Sequence, residues 1–157
     1  VHTGHGPNPA RQERAHVHQC QLTPDGQALV LCDLGLDQVA FYDFEPGRGV
    51  GECIKRLSLP GGVGPRHAAL APGGALYVLS ELESEVLVFD DWRKQEPRLV
   101  QRIPLLDSPN PEQTGAAIRL TPDGGQILAT VRGADSLNLL DIEPDGRLKR
   151  VQRENSL

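Results

Sequence analysis

The stretch Gly61–Glu81, GGVGPRHAALAPGGALYVLSE, decides the fold. A glycine-rich approach leads into Arg66-His67 and a short apolar run. A Pro-Gly-Gly turn follows, then a second apolar run that ends on Glu81. Turn residues between two apolar runs predict a hairpin, with Gly73 or Gly74 supplying the backbone freedom of the turn. Because a hairpin reverses the chain, Arg66, His67 and Glu81 are expected at the same end of it.

The unit occurs twice more, around Pro24-Asp25-Gly26 and Pro122-Asp123-Gly124; the three turn prolines are 48 and 50 residues apart. In the first unit VHQCQL, QALVLCD, VAFYDF and ECIKRLSL read as strands. The second gives PRHAAL, ALYVLSE, VLVFDD and RLVQRIPL, and the third AAIRL, QILATVR, LNLLDI and RLKRVQ. Asp43, Asp90 and Asp141 keep the same phase, four residues after the openings of the third strands at Val39, Val86 and Leu137. Four short strands per repeat of roughly 40–50 residues are the signature of a β-propeller blade. The expected fold is all-β, with about three blades of four-stranded antiparallel sheet. The chain divides into a leader loop (1–15) from a preceding blade and blades at 16–60, 61–106 and 107–157. Propellers generally close with at least four blades. The remaining blades are therefore expected from the parent chain or from another copy, and the isolated chain is expected to associate or to fold weakly.

Composition narrows the function. A net charge of −5 without a basic cluster argues against nucleic acid or an anionic membrane surface as partner. No apolar run approaches a membrane span, and residues 1–15 do not look like a signal peptide. Cys20, Cys32 and Cys53 lie within apolar runs at no metal-binding spacing, which reads as buried thiols in a reducing compartment and a cytoplasmic protein. Trp92 and Arg93 read as an exposed connection.

If the first strand of each unit runs down and the second runs up, two positions meet at the upper rim. They are His18, Arg66 and Ala116, six residues before each proline, and Asp33, Glu81 and Arg132, nine or ten after it. Five of these six are polar, so they are exposed in a cleft or paired. His18 and Glu81 offer acid–base groups, and Arg66 and Arg132 fixed positive charge for an anion or an oxyanion. Asp33, His67 and His16 are the neighbouring candidates for substrate binding. His16-x-His18 is a spacing that binds metal in other settings, but no Cys, Asp or Glu completes a ligand set, and no metal is expected. An inter-blade salt-bridge network is the alternative reading of the same residues.

Several stretches carry a family likeness: GPNPARQERAHVH with QLTPDG (6–26), LCDLGLDQVAFYD (31–43), GPRHAALAPGG with LYVLSELESEVLVFD (64–90), and IRLTPDGGQILATVRGADSLNLLDIEPDG (118–146). In them the chain resembles the seven-bladed lactonase family of bacterial propeller-type 6-phosphogluconolactonases and fungal carboxy-cis,cis-muconate cyclases. The resemblance implies that His18, Arg66, Glu81 and Arg132 are the active-site set. It also implies hydrolysis of a small-molecule sugar lactone without metal or organic cofactor, and a middle portion of a chain roughly twice as long. A muconate cyclase-type lactonising isomerase and a non-catalytic ligand- or protein-binding propeller are the alternatives. Ser80 and Val131 stand where the family commonly has Asn. Ala117 and Arg119 stand where its third unit often has an acid and a His.

Overall fold

The computed structural model describes residues 2–108 and 110–155. Among them twelve strands form three four-stranded antiparallel sheets, each built from four consecutive strands in chain order. The first sheet holds β1 (Val17–Leu22), β2 (Ala28–Asp33), β3 (Gln38–Glu45) and β4 (Gly49–Ser58). The second holds β5 (Pro65–Leu70), β6 (Leu76–Ser80), β7 (Glu85–Phe89) and β8 (Leu99–Pro104). The third holds β9 (Thr114–Leu120), β10 (Gln126–Arg132), β11 (Ser136–Ile142) and β12 (Leu148–Asn155). A 3-10 turn, Leu34–Leu36, lies between β2 and β3. Among the described residues no helix is long and apolar enough to cross a membrane.

The hairpin turns repeat in atomic detail. Thr23 Oγ1 donates to Asp25 Oδ1 at 2.5 Å and Thr121 Oγ1 to Asp123 Oδ1 at 2.6 Å. Gly26 and Gly124 follow with φ of 71° and 73°, a left-handed backbone that glycine adopts without steric cost. At the other end of each second strand, Asp37, Ser84 and Asp135 take φ of 49°, 50° and 44°. Asp37 uses this bend to accept the Gly62 and Gly64 amides at 2.6 and 2.7 Å, fixing the glycine-rich approach to the second sheet.

The sheets stack face to face, with β5 packed between β1 and β9. One interface buries Val30, Cys32, Val39 and Phe41 against Val78, Leu87, Phe89 and Trp92; the other buries Tyr77, Leu79, Val86 and Val88 against Ile118, Ile127, Ala129 and Leu140. The inner strands are joined by side chains: Gln19 Oε1 accepts the Ala68 N–H at 2.5 Å and Gln21 Nε2 donates to Ala68 O at 2.8 Å. These bonds satisfy backbone groups that no ladder reaches. Every residue of β6 and β7 is buried, because both faces of the middle sheet are covered. In β2, β10 and β11 burial mostly alternates, because only one face of each outer sheet is covered.

Two expectations are corrected. Trp92 is buried, its indole Nε1 donating to Ala71 O at 3.0 Å, because the β7–β8 connection folds back over the β5–β6 turn. Of the three free cysteines only Cys32 is fully buried, and burial pushes its thiol pKa up. Cys53 is half-buried, and Cys20 is exposed on the open face of β1.

Candidate active site

Each first strand contains one irregularity near its start. Pairing jumps from Val17↔Asp33 to Gln19↔Cys32, from Pro65↔Ser80 to His67↔Leu79, and from Gly115↔Val131 to Ala117↔Thr130. The residues passed over are His18, Arg66 and Ala116, the three equivalent rim positions of the sequence repeat. A bulge re-aims the side chain of its extra residue, and here the repeated bulge turns His18 and Arg66 toward one point.

That point is Glu81, the residue after β6. Its N–H donates to Gly64 O at 2.8 Å and its carbonyl accepts the Gly115 N–H at 3.0 Å, so the backbone is fixed from both sides. Both partners must be glycine for the chains to approach. A Cβ on Gly115 would lie 2.2 Å from Ser80 O, and one on Gly64 would lie 2.7 Å from the Leu82 side chain.

The Glu81 carboxylate is 1% exposed. Its Oε2 lies 2.8 Å from Arg66 Nε, 3.3 Å from Arg132 Nη2 and 3.9 Å from His18 Nε2. Its Oε1 accepts from Arg11 Nη2. An isolated buried carboxylate is costly, and three guanidiniums offset that cost here. Arg66 is held further by its Nη1, which donates to Ala116 O and lies 3.2 Å from His67 Nε2. Arg132 has no such second anchor among the described contacts and is 52% exposed.

The surroundings of His18 and His67 favour their neutral forms. Burial lowers the His18 pKa, assisted by Arg66 and Arg11 and opposed by Glu81, while a third of the side chain stays open to solvent. His67 is pushed down to about 4 by burial and by the charges of Arg66 and Arg119, and its Nδ1 is buried without a partner. A neutral, partly exposed imidazole beside fixed positive charge can accept a proton from water and stabilise the oxyanion that forms.

The structure thus brings His18, Arg66, Glu81 and Arg132 together, with His67 at the flank. Asp33, expected to bind substrate, is instead fully buried with both oxygens engaged: Oδ1 accepts the His16 N–H at 2.8 Å and Oδ2 lies 2.5 Å from His2 Nδ1. His16 turns away to Glu13, 3.1 Å from its Nε2. Arg11 escaped the sequence reading because the leader has no counterpart in the repeat, so hairpin counting cannot place it. Clefts at the opposite rim, beside the Pro-Asp-Gly turns, are lined by Asp25, Asp43, Lys55 and Trp92 and bring no group to this cluster.

The model of the family described as "Lactonase, 7-bladed beta-propeller" matches residues 1–157. A protein of uncharacterised function from Lactococcus lactis subsp. cremoris is 38% identical over 148 residues, covering 92% of this chain and 42% of that protein. The 6-phosphogluconolactonase of Bacillus subtilis is 34% identical over 159 residues, covering 98% of this chain and 44% of the enzyme. Among solved structures, the periplasmic gluconolactonase of Pseudomonas aeruginosa superposes with a TM-score of 0.85 at 28% identity, covering 99% of this chain and 45% of that one. The chain therefore spans less than half the length of the relatives it matches.

Proposed function

Because the chain belongs to the seven-bladed β-propeller lactonase family, we propose that its upper rim opens a sugar lactone with water, the substrate being a phosphorylated gluconolactone. The observation that carries this reading is the convergence of Arg66, Arg132 and His18 on the buried carboxylate of Glu81. Both oxygens of Glu81 are occupied, so its role is to hold the arginines; His18, neutral and partly exposed, is the base. His18 takes a proton from water as the water oxygen bonds to the lactone carbonyl carbon. The resulting oxyanion is stabilised by Arg66, which is already fixed before substrate arrives. The ring C–O bond then breaks, and the departing ring oxygen takes the proton back from His18, giving the hydroxy acid. Arg132, held by a single 3.3 Å contact and half exposed, holds the substrate anion.

The test uses a complete propeller containing this segment. His18→Ala is expected to lower turnover about 100- to 10,000-fold with folding intact. Glu81→Gln is expected to weaken turnover and substrate binding together, because the arginines lose their common anchor. Unchanged turnover in both variants would move the site to a non-catalytic, ligand-binding role.

A further inference from the structure

The leader is a built strap. His2 Nδ1 lies 2.5 Å from Asp33 Oδ2 and its Nε2 lies 2.9 Å from the Tyr42 hydroxyl. Gln12 is completely buried; its Nε2 donates to Leu34 O at 2.8 Å and its Oε1 accepts the Asn8 N–H at 3.1 Å. The His16 N–H closes the strap on Asp33. Between these clamps, adjacent to Gln12, Arg11 reaches across to Glu81 in the second sheet.

The two oxygens of Glu81 are divided as a result. Arg11 holds Oε1, and Arg66, Arg132 and His18 all face Oε2. A guanidinium that reaches both oxygens of a carboxylate forms a bidentate pair, stronger and more fixed than a single contact. With Oε1 occupied, Arg132 is limited to one contact of 3.3 Å and keeps half its side chain in solvent. We propose that Arg11 is a positioning residue of this site, blocking the second oxygen of Glu81 so that Arg132 stays available to a substrate anion, and that buried Gln12 sets Arg11 in place. The catalytic consequence rests on the lactonase reading; the geometric one does not. Arg11 also adds positive charge beside His18 and helps keep that ring neutral.

Two readouts on a complete propeller test this: lactone kinetics, and the His18 titration midpoint by NMR, its signal identified by loss in His18→Gln. In Arg11→Ala the midpoint is expected to rise, the acid limb of kcat/KM to move with it, and kcat/KM to fall about 10- to 100-fold, mostly through KM. Arg11→Lys restores the charge and is expected to return the midpoint toward wild type. Gln12→Ala is expected to reproduce the Arg11→Ala kinetics, and the double variant to be no worse than Arg11→Ala alone. A folded Arg11→Ala protein with unchanged midpoint and kcat/KM, or additive losses for the two positions, overturns the proposal. A wild-type protein inert toward lactones overturns the functional reading alone, and the titration in Arg11→Ala then decides the positioning role.

Discussion

Beside His18, two rim side chains are held by the same guanidinium, that of Arg66. Glu81 is saturated with guanidinium partners, and His67 lies behind Arg66, half-buried and held at about 4 against an ordinary 6.5. The folded state therefore prefers neutral His67. Above about pH 6.5 this group has no effect on stability; between about 6.5 and 4 the unfolded chain binds a proton that the folded chain refuses, and stability falls; below about 4 the loss is constant. His67→Gln keeps an acceptor for Arg66 Nη1 but removes the titration. The drop in Tm from about pH 7 to about pH 4.5 is expected to be smaller in the variant than in the wild type. Identical drops in the two proteins would show that His67 is not held neutral by the fold. The residue-level set His18, Arg66, Glu81 and Arg132 is legible from spacing because each hairpin returns the residue nine or ten after its proline to the rim of the residue six before it. The burial of Asp33 is not legible in the sequence, because one partner, His2, lies in the leader outside the repeat, and the other is the backbone N–H of His16, which no residue type announces.

At the scale of elements, the site depends on where two connections cross the rim. The strap passes so close to the 3-10 turn Leu34–Leu36 that a Cβ on Gly35 would lie 1.8 Å from Arg14 O. Backbone cannot yield as a side-chain tip does, so Gly35→Ala is expected to destabilise by about 1–3 kcal/mol. It should also lower kcat/KM, by displacing the strap that carries Arg11. Thermal unfolding and kinetics of the variant check both, and a Gly35→Ala protein as stable as wild type would place the strap farther from the turn. The strands and turns were readable because each blade repeats one pattern of apolar runs and glycine turns. The Trp92 connection was misread for a physical reason: polar neighbours Asp91, Arg93 and Lys94 point outward while the indole alone turns inward to Ala71 O.

Across the whole molecule, the middle sheet is the only one of the three described with both faces covered, and it supplies both Arg66 and Glu81. The first sheet contributes His18 and the third Arg132, so the site exists only where three blades meet. The outer faces of the flanking sheets leave Leu29 and Leu31 on one side and Leu128, Leu137 and Leu139 on the other half-exposed. Such surfaces favour further blade packing. The seven-blade family pattern fits this arrangement. The most direct test of the central claim is steady-state hydrolysis of 6-phosphogluconolactone and of unphosphorylated gluconolactone by a complete propeller containing this segment, with Arg66→Ala and Arg132→Ala alongside. The wild type is expected to turn over the phosphorylated lactone, and Arg132→Ala to raise KM for that lactone alone. Arg66→Ala is expected to slow kcat for both lactones. Absence of wild-type hydrolysis, or equal weakening of both lactones by both replacements, would contradict it.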